Sequence, residues 1–187
     1  MAKIKAFLFL SINGYYKGLN EDISWHQHDE EGAAFSQQQL SAGNILLFGR
    51  KTYDMMSNFW PSKMAAEVYP EVAQQMNAAT KIVISNSLKK VSWKNTSIIN
   101  GKIVQEIKNL KANSSVDITI LGSGSIVTLL SNELLIDEYE FMIDPVALAE
   151  GVSLFQKMQS DLHLKLVSQQ VFPKSGCLLL KYEPVRK

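Results

Sequence analysis

The chain is almost without cysteine. Cys177 is the single thiol in 187 residues, so an internal disulfide is excluded and no cysteine set has metal-ligand spacing. Net charge is nearly absent as well. Nineteen Lys and Arg against 18 Asp and Glu leave +1, which excludes a general attraction to nucleic acid or to an anionic membrane; any anion site must be local. No apolar run reaches bilayer length. There is no repeat, no low-complexity tract and no linker-like stretch, so residues 1–187 read as one domain. The short apolar run from Ile4 to Leu10 passes straight into Ser11-Ile12-Asn13-Gly14 without a cleavage-like site. No signal peptide is expected, and a cytoplasmic location follows by default.

What is present is an alternation of apolar strands and amphipathic helices. Ile4–Leu10 is a short run with no polar alternation, as expected of a strand buried on both faces, and Ile45–Phe48, Lys81–Ser85 and Val116–Leu121 read as further strands, mostly apolar. Helical patterns run from Asp29 to Leu40, from Tyr53 on each side of Trp60-Pro61-Ser62, and over residues 101–112, where Ile103, Ile107 and Leu110 share a face. Short β segments are expected at Val91–Trp93 and Thr96–Ile99. A long strand is expected over Leu135–Ile143. Leu162–Phe172 and Cys177–Glu183 form a hairpin around Pro173–Gly176. The reading is an α/β fold: a mixed, mostly parallel sheet, helices on both faces, and an antiparallel C-terminal hairpin that buries Cys177.

Two strand-to-helix turns carry ligand-binding character. Gly49-Arg50-Lys51-Thr52 ends an apolar strand and opens a helix with free N–H groups, a hydroxyl and two cations, which suits a phosphate. Gly122-Ser123-Gly124-Ser125 occupies the matching place after another strand. Each alone reads as a tight turn; together, at the carboxyl ends of strands in one sheet, they favour a nucleotide. Ser85-Asn86-Ser87 is a third strand end with hydroxyls near Lys89 and Lys90. Trp25, Phe35, Phe59 and Trp60 read either as core or as the walls of a flat pocket. His26 and His28 lack a third metal ligand and read as solvent-facing.

These pieces, in this order, resemble the dihydrofolate reductase-like superfamily, and within it the reductase domain of the riboflavin-biosynthesis deaminase–reductase and its stand-alone bacterial relatives. The resemblance rests on Ser11–Gly14 with Gly18, Gly49–Tyr53, Lys81–Ser85, Leu121–Ser125, and Ile136–Glu138 leading to Asp144-Pro145-Val146 and Gly151. It implies a three-layer fold, NADPH as cofactor, and hydride transfer to a small pterin-, pyrimidine- or ribosylaminopyrimidine-like substrate. It also leaves open a dihydrofolate reductase proper or a non-catalytic nucleotide-binding protein, and it implies pairing as homodimers. By position it assigns cofactor contacts to Asn13, Gly18, Gly49, Arg50, Lys51, Thr52, Ser85, Asn86, Gly122, Ser123, Gly124 and Ser125. It assigns substrate contacts to Trp25, Phe35 and Phe59. The proton donor falls among the acids that open the helix after Trp25. Matching Phe35 to the family's aromatic makes Glu31 the expected acid, then Glu30.

Overall fold

A computed structural model describes residues 1–27 and 29–186. His28, one half of the histidine pair, lies outside the described residues. The strands are β1 (Ile4–Ser11), β2 (Tyr15–Lys17), β3 (Ile45–Gly49), β4 (Lys81–Ile84), β5 (Thr96–Ile99), β6 (Ile118–Leu121), β7 (Glu138–Asp144), β8 (Val152–Ser153), β9 (Leu164–Phe172) and β10 (Cys177–Pro184). The helices are α1 (Glu30–Ser41), α2 (Arg50–Phe59), α3 (Lys63–Val68), α4 (Pro70–Ala78), α5 (Ile103–Asn113) and α6 (Gly124–Asn132). Among the described residues, eight strands form one sheet in the order β5-β4-β3-β6-β1-β7-β10-β9, and β2 pairs with β8 apart from it.

The sheet is parallel from β5 to β7, and the hairpin β9–β10 closes it antiparallel. Period-two alternation sorts the side chains into layers. Ile4, Ala6, Leu8 and Leu10 of β1 join Ile118 and Ile120 of β6 on one face, under Ile107 of α5 and Ile126, Val127 and Leu130 of α6. On the other face Leu46, Phe48 and Val83 meet Tyr53 of α2 and Val72 and Met76 of α4, while Phe7 and Phe9 pack with Phe35 of α1. Cys177 is buried on β10, as its flanking leucines imply.

Three local expectations are corrected. Val91–Trp93 is not a strand: the Ser92 and Trp93 N–H groups bond the Tyr53 hydroxyl at 3.2 and 3.3 Å, and the Trp93 ring is buried against Phe48. The strand expected from Leu135 begins only at Glu138, because Asp137 turns to accept the Ile4 N–H at 2.9 Å and to pair with Lys111 and Arg186. The second helical stretch after Trp60 is split at Tyr69, where Pro70 sits at the first position of α4 and starts a new helix. Two short strands, β2 and β8, had no signal beyond Tyr15-Tyr16 and Val152, and form because the loops that hold them are brought together.

Candidate active site

β3 and β6 are neighbours, so the turns that follow them lie side by side at the same edge of the sheet. One hydroxyl joins the two turns. The Gly49 N–H donates to Ser123 Oγ at 2.8 Å, and that hydroxyl donates to the Leu121 carbonyl at 3.2 Å. Ser123 therefore cannot cap its own helix, and neither α2 nor α6 has a side-chain cap at its N-terminus. Both helix ends keep free N–H groups and positive dipole ends facing one region. The backbone there is left-handed at Gly122 (φ +57) and Ser123 (φ +55), which brings the turn back over β6; a serine holds that conformation at a cost of roughly 1 kcal/mol. Gly124 lies flat on the Tyr16 ring, where an added Cβ would sit 2.6 Å from ring carbons.

A cavity of about 250 Å³ opens over these turns, lined by Gly49, Arg50, Lys51, Thr52, Ser123, Gly124 and Ser125 together with Tyr16, Lys17 and Glu21. The cationic side is supplied by Arg50, half exposed and 3.0 Å from Asp54, and by Lys51 and Lys17, which hold Glu21 at 2.6 and 2.7 Å. Burial opposes ionisation of Glu21, but the two ammonium groups outweigh it and keep its carboxyl below the usual range. An adjoining cavity of about 680 Å³ shares Tyr16, Lys17, Glu21, Lys51, Thr52 and Ser123 as a common wall. It continues over the sheet between α1 and α2 and is walled by Phe7, Phe9, Phe35, Met55, Met56, Phe59 and Trp60. Its size suits a small-molecule ligand.

The structure brings together Gly49, Arg50, Lys51, Thr52, Gly122, Ser123, Gly124 and Ser125, and sets Phe35 and Phe59 in the apolar wall. Other expected site residues stand elsewhere. Asn13 clamps the loop at Leu148, accepting its N–H at 3.1 Å and donating to its carbonyl at 2.8 Å. Gly18 closes the turn that carries Leu19–Glu21 through a 2.7 Å bond to the Asp22 carbonyl. Ser85 caps the turn after β4 through the Ser87 and Leu88 N–H groups, and Asn86 accepts from the Gly101 N–H. Trp25 is tied to the Asp22 carbonyl at 3.2 Å and is not part of the cavity wall.

Glu30 and Glu31 are not brought to the cavity. Glu30 pairs with Lys174 at 3.1 Å in solvent, and Glu31 accepts the Lys174 N–H. Of the three consecutive acids at the head of α1, the one on the cavity wall is Asp29. Its Oδ1 caps α1 by accepting the Gly32 N–H at 2.7 Å, and its Oδ2 is buried with no hydrogen-bond partner among the described residues. The capping-type residue before Glu30 was the signal for this placement. His26 is corrected too: it is not solvent-facing but buried, its ring stacked on Phe9 at 3.5 Å and its Nδ1 bonded to Asp144. Among the described residues no group of three or more His, Cys, Asp or Glu is placed to hold a metal ion.

A mostly parallel sheet with an antiparallel end, helices on both faces, and a cleft at the strand ends defines the dihydrofolate reductase-like class. Comparison with known proteins narrows this. The sequence model of the RibD C-terminal domain matches residues 2–178, and the chain belongs to that family, whose function is of reductase type. The chain is 29% identical over 176 residues to YyaP, an uncharacterized protein of Bacillus subtilis (strain 168), covering 94% of this chain and 91% of that one. Among solved structures it resembles a Shewanella sp. PV-4 protein attributed to riboflavin biosynthesis (TM-score 0.74, 23% identity, 100% of both chains). It also resembles a dihydrofolate reductase from Enterococcus faecalis complexed with NADP(H) (TM-score 0.65, 16% identity, 98% of this chain and 97% of that one). At such identities the structures show the fold. Among the described residues no helix is long and apolar enough to cross a membrane.

Proposed function

We propose that this protein is an NADPH-dependent reductase that adds hydride to a C=N or C=O carbon of a small pterin-, pyrimidine- or ribosylaminopyrimidine-like ring. The observation that carries the reading is the pair of uncapped helix N-termini, tied together by Ser123, opening onto a cavity that runs on between apolar walls. A pyrophosphate fits the first part: free N–H groups, the Thr52 hydroxyl, and Arg50 and Lys51 within reach. When bound, the nicotinamide supplies the hydride. The chain orients the two rings against each other between Phe35 and Phe59 and excludes water from the space they share. In this reading Asp29 Oδ2, which has no hydrogen-bond partner among the described residues, accepts a ring N–H or an amino group of the substrate.

The test is a titration with NADPH and, separately, NADH, followed by quenching of the three tryptophans and by calorimetry. Micromolar NADPH binding, weakened roughly 10- to 100-fold in Arg50→Ala by loss of a charge-assisted phosphate contact, is expected. No binding of either nucleotide at millimolar concentration would remove the reading. A second reading, a folate reductase proper, is favoured by Asp29 at the start of α1. Turnover of 7,8-dihydrofolate but not of a ribosylaminopyrimidine phosphate selects it. NADPH binding without turnover of any heterocycle would leave a nucleotide-binding module on this fold.

A further inference from the structure

Charge is unevenly spread over the wall of the larger cavity. Among the described residues its charged side chains are Lys17, Glu21 and Lys51, which stand where it meets the cavity over the two turns, and Asp29 at the head of α1. Glu21 offsets the first group by holding both ammonium groups, at 2.7 and 2.6 Å. His26, also on the wall, is paired with Asp144. Away from the shared wall, where α3 and α4 close the cavity, no charged side chain of the described residues reaches it. These two helices carry Lys63, Glu67 and Glu71, yet turn Met64, Val68, Val72 and Met76 to the wall. α2 does the same past its first turn: Met55, Met56 and Phe59 line the cavity and Asp54 does not.

Two of these wall residues are also open to solvent, Met64 at 64% and Val68 at 57%. They are four apart on α3 and so share one face. Neighbouring apolar side chains left uncovered at the rim of a cavity mark a surface that a ligand covers. Trp60 offers no donor there, since its Nε1–H is taken up by Met56 Sδ at 2.9 Å. Five of the seven methionines line this cavity, and an unbranched thioether chain adapts to ligands of different outline. A phosphate or carboxylate carried into this region would lose water and find no cation in return. An aryl or alkyl group would gain from burial. We propose, resting on the reductase reading above, that the substrate is a heterocycle bearing an uncharged aryl or alkyl substituent. The substituent lies along α3 and α4, and the ring stays beside Asp29 and the two glycine turns. This end of the cavity selects against an anionic tail, whether a carboxylate or a phosphate.

The experiment uses three 7,8-dihydropterins that differ only at C6, which carries methyl, phenyl or 4-carboxyphenyl. NADPH binding by tryptophan quenching comes first; if wild type does not bind it, the reductase reading fails before this proposal is reached. Calorimetry then follows each probe into NADP⁺-saturated wild type and Val68→Lys, with NADP⁺ in place of NADPH so that no turnover intrudes. In wild type the phenyl probe is expected to bind ~10- to 100-fold tighter than the methyl probe, through the apolar area it buries. The 4-carboxyphenyl probe should bind at least ~5-fold more weakly than the phenyl probe, because its charge is left unpaired. Val68→Lys changes an exposed position and sets an ammonium at the rim, so it should shift the ratio toward the carboxylate by ~5-fold or more. Its NADPH affinity should stay within about threefold of wild type, because Val68 lies outside the cavity over the two turns. A phenyl probe no tighter than methyl, a carboxyphenyl probe as tight as phenyl, or a ratio unmoved in Val68→Lys would overturn the proposal. So would tighter binding of 5-amino-6-(5-phosphoribosylamino)uracil than of the phenyl probe, or NADPH binding by wild type with no dihydropterin bound. Should Val68→Lys not fold, the ranking of the probes in wild type carries the test.

Discussion

Replacing Ser123 by alanine tests whether one hydroxyl joins the two glycine turns. In the native protein that hydroxyl accepts the buried Gly49 N–H at 2.8 Å and donates to the Leu121 carbonyl at 3.2 Å. Alanine leaves the Gly49 N–H without its partner, a loss of about 1–3 kcal/mol. The backbone strain is unchanged, since alanine also dislikes φ +55. Glycine at 123 loses the same bonds but relieves the strain, so Ser123→Gly is expected to be more stable than Ser123→Ala by about 1 kcal/mol. For a chain of this length each kcal/mol moves the melting temperature by roughly 2–4 °C. Urea unfolding should therefore rank wild type above Ser123→Gly above Ser123→Ala. The NADPH titration should show both variants weakened about tenfold, ~1.4 kcal/mol, because the spacing of the two helix ends is no longer held. Equal urea midpoints for wild type and Ser123→Ala, with unchanged NADPH affinity, would refute the bridging role.

Lys81 gives a prediction about pH. It is fully buried, its ammonium bonded to the carbonyls of Met76, Asn77 and Ala79 and set 4.5 Å over the Trp93 ring, yet burial lowers its pKa to about 8. The unfolded chain keeps this proton until about pH 10.4, so between those values it binds more protons than the native state, and stability rises with pH by up to ~3 kcal/mol. The gain should appear in the difference between wild type and Lys81→Met, because Cys177 and Tyr139, both raised by burial, act in the opposite direction at high pH. A flat difference from pH 7 to 10 would mean that the three carbonyls, not burial, control the amine. Gly124→Ala should cost about 1–3 kcal/mol by pressing on the Tyr16 ring, and Tyr16→Val in the same chain should restore most of it; additive losses in a double-mutant cycle would argue against that contact. The edge strand β9 exposes Leu166, Val167 and Val171, so a dimer is expected on sizing chromatography at micromolar concentration, broken by Val171→Lys; a monomeric wild type would refute it.

Much of the candidate site was legible because it is local. Gly49–Thr52 and Gly122–Ser125 each combine a strand end, a turn and a helix start within a few residues, and short-range backbone preference is enough to specify them. The acid at the head of α1 was less legible. Asp29, Glu30 and Glu31 are consecutive, and a helix turns ~100° per residue, so only packing decides which one faces the cavity. Asp29 does so because it caps the helix while Phe35, six residues on, anchors the same helix in the core. Val91–Trp93 shows the opposite failure: apolar alternation read as a strand, where the Tyr53 hydroxyl instead takes up the backbone N–H groups.

The sequence alone determined the alternation of strands and helices, the closing hairpin, the buried Cys177 and the two glycine turns, since all of these follow from periodicity and local dihedral preference. Tertiary structure alone decided that β6 inserts between β1 and β3, which sets the two turns side by side and lets Ser123 join them. It alone brought His26 against Asp144. Contacts between residues this far apart depend on strand order and register across the whole sheet, and no segment carries that information by itself.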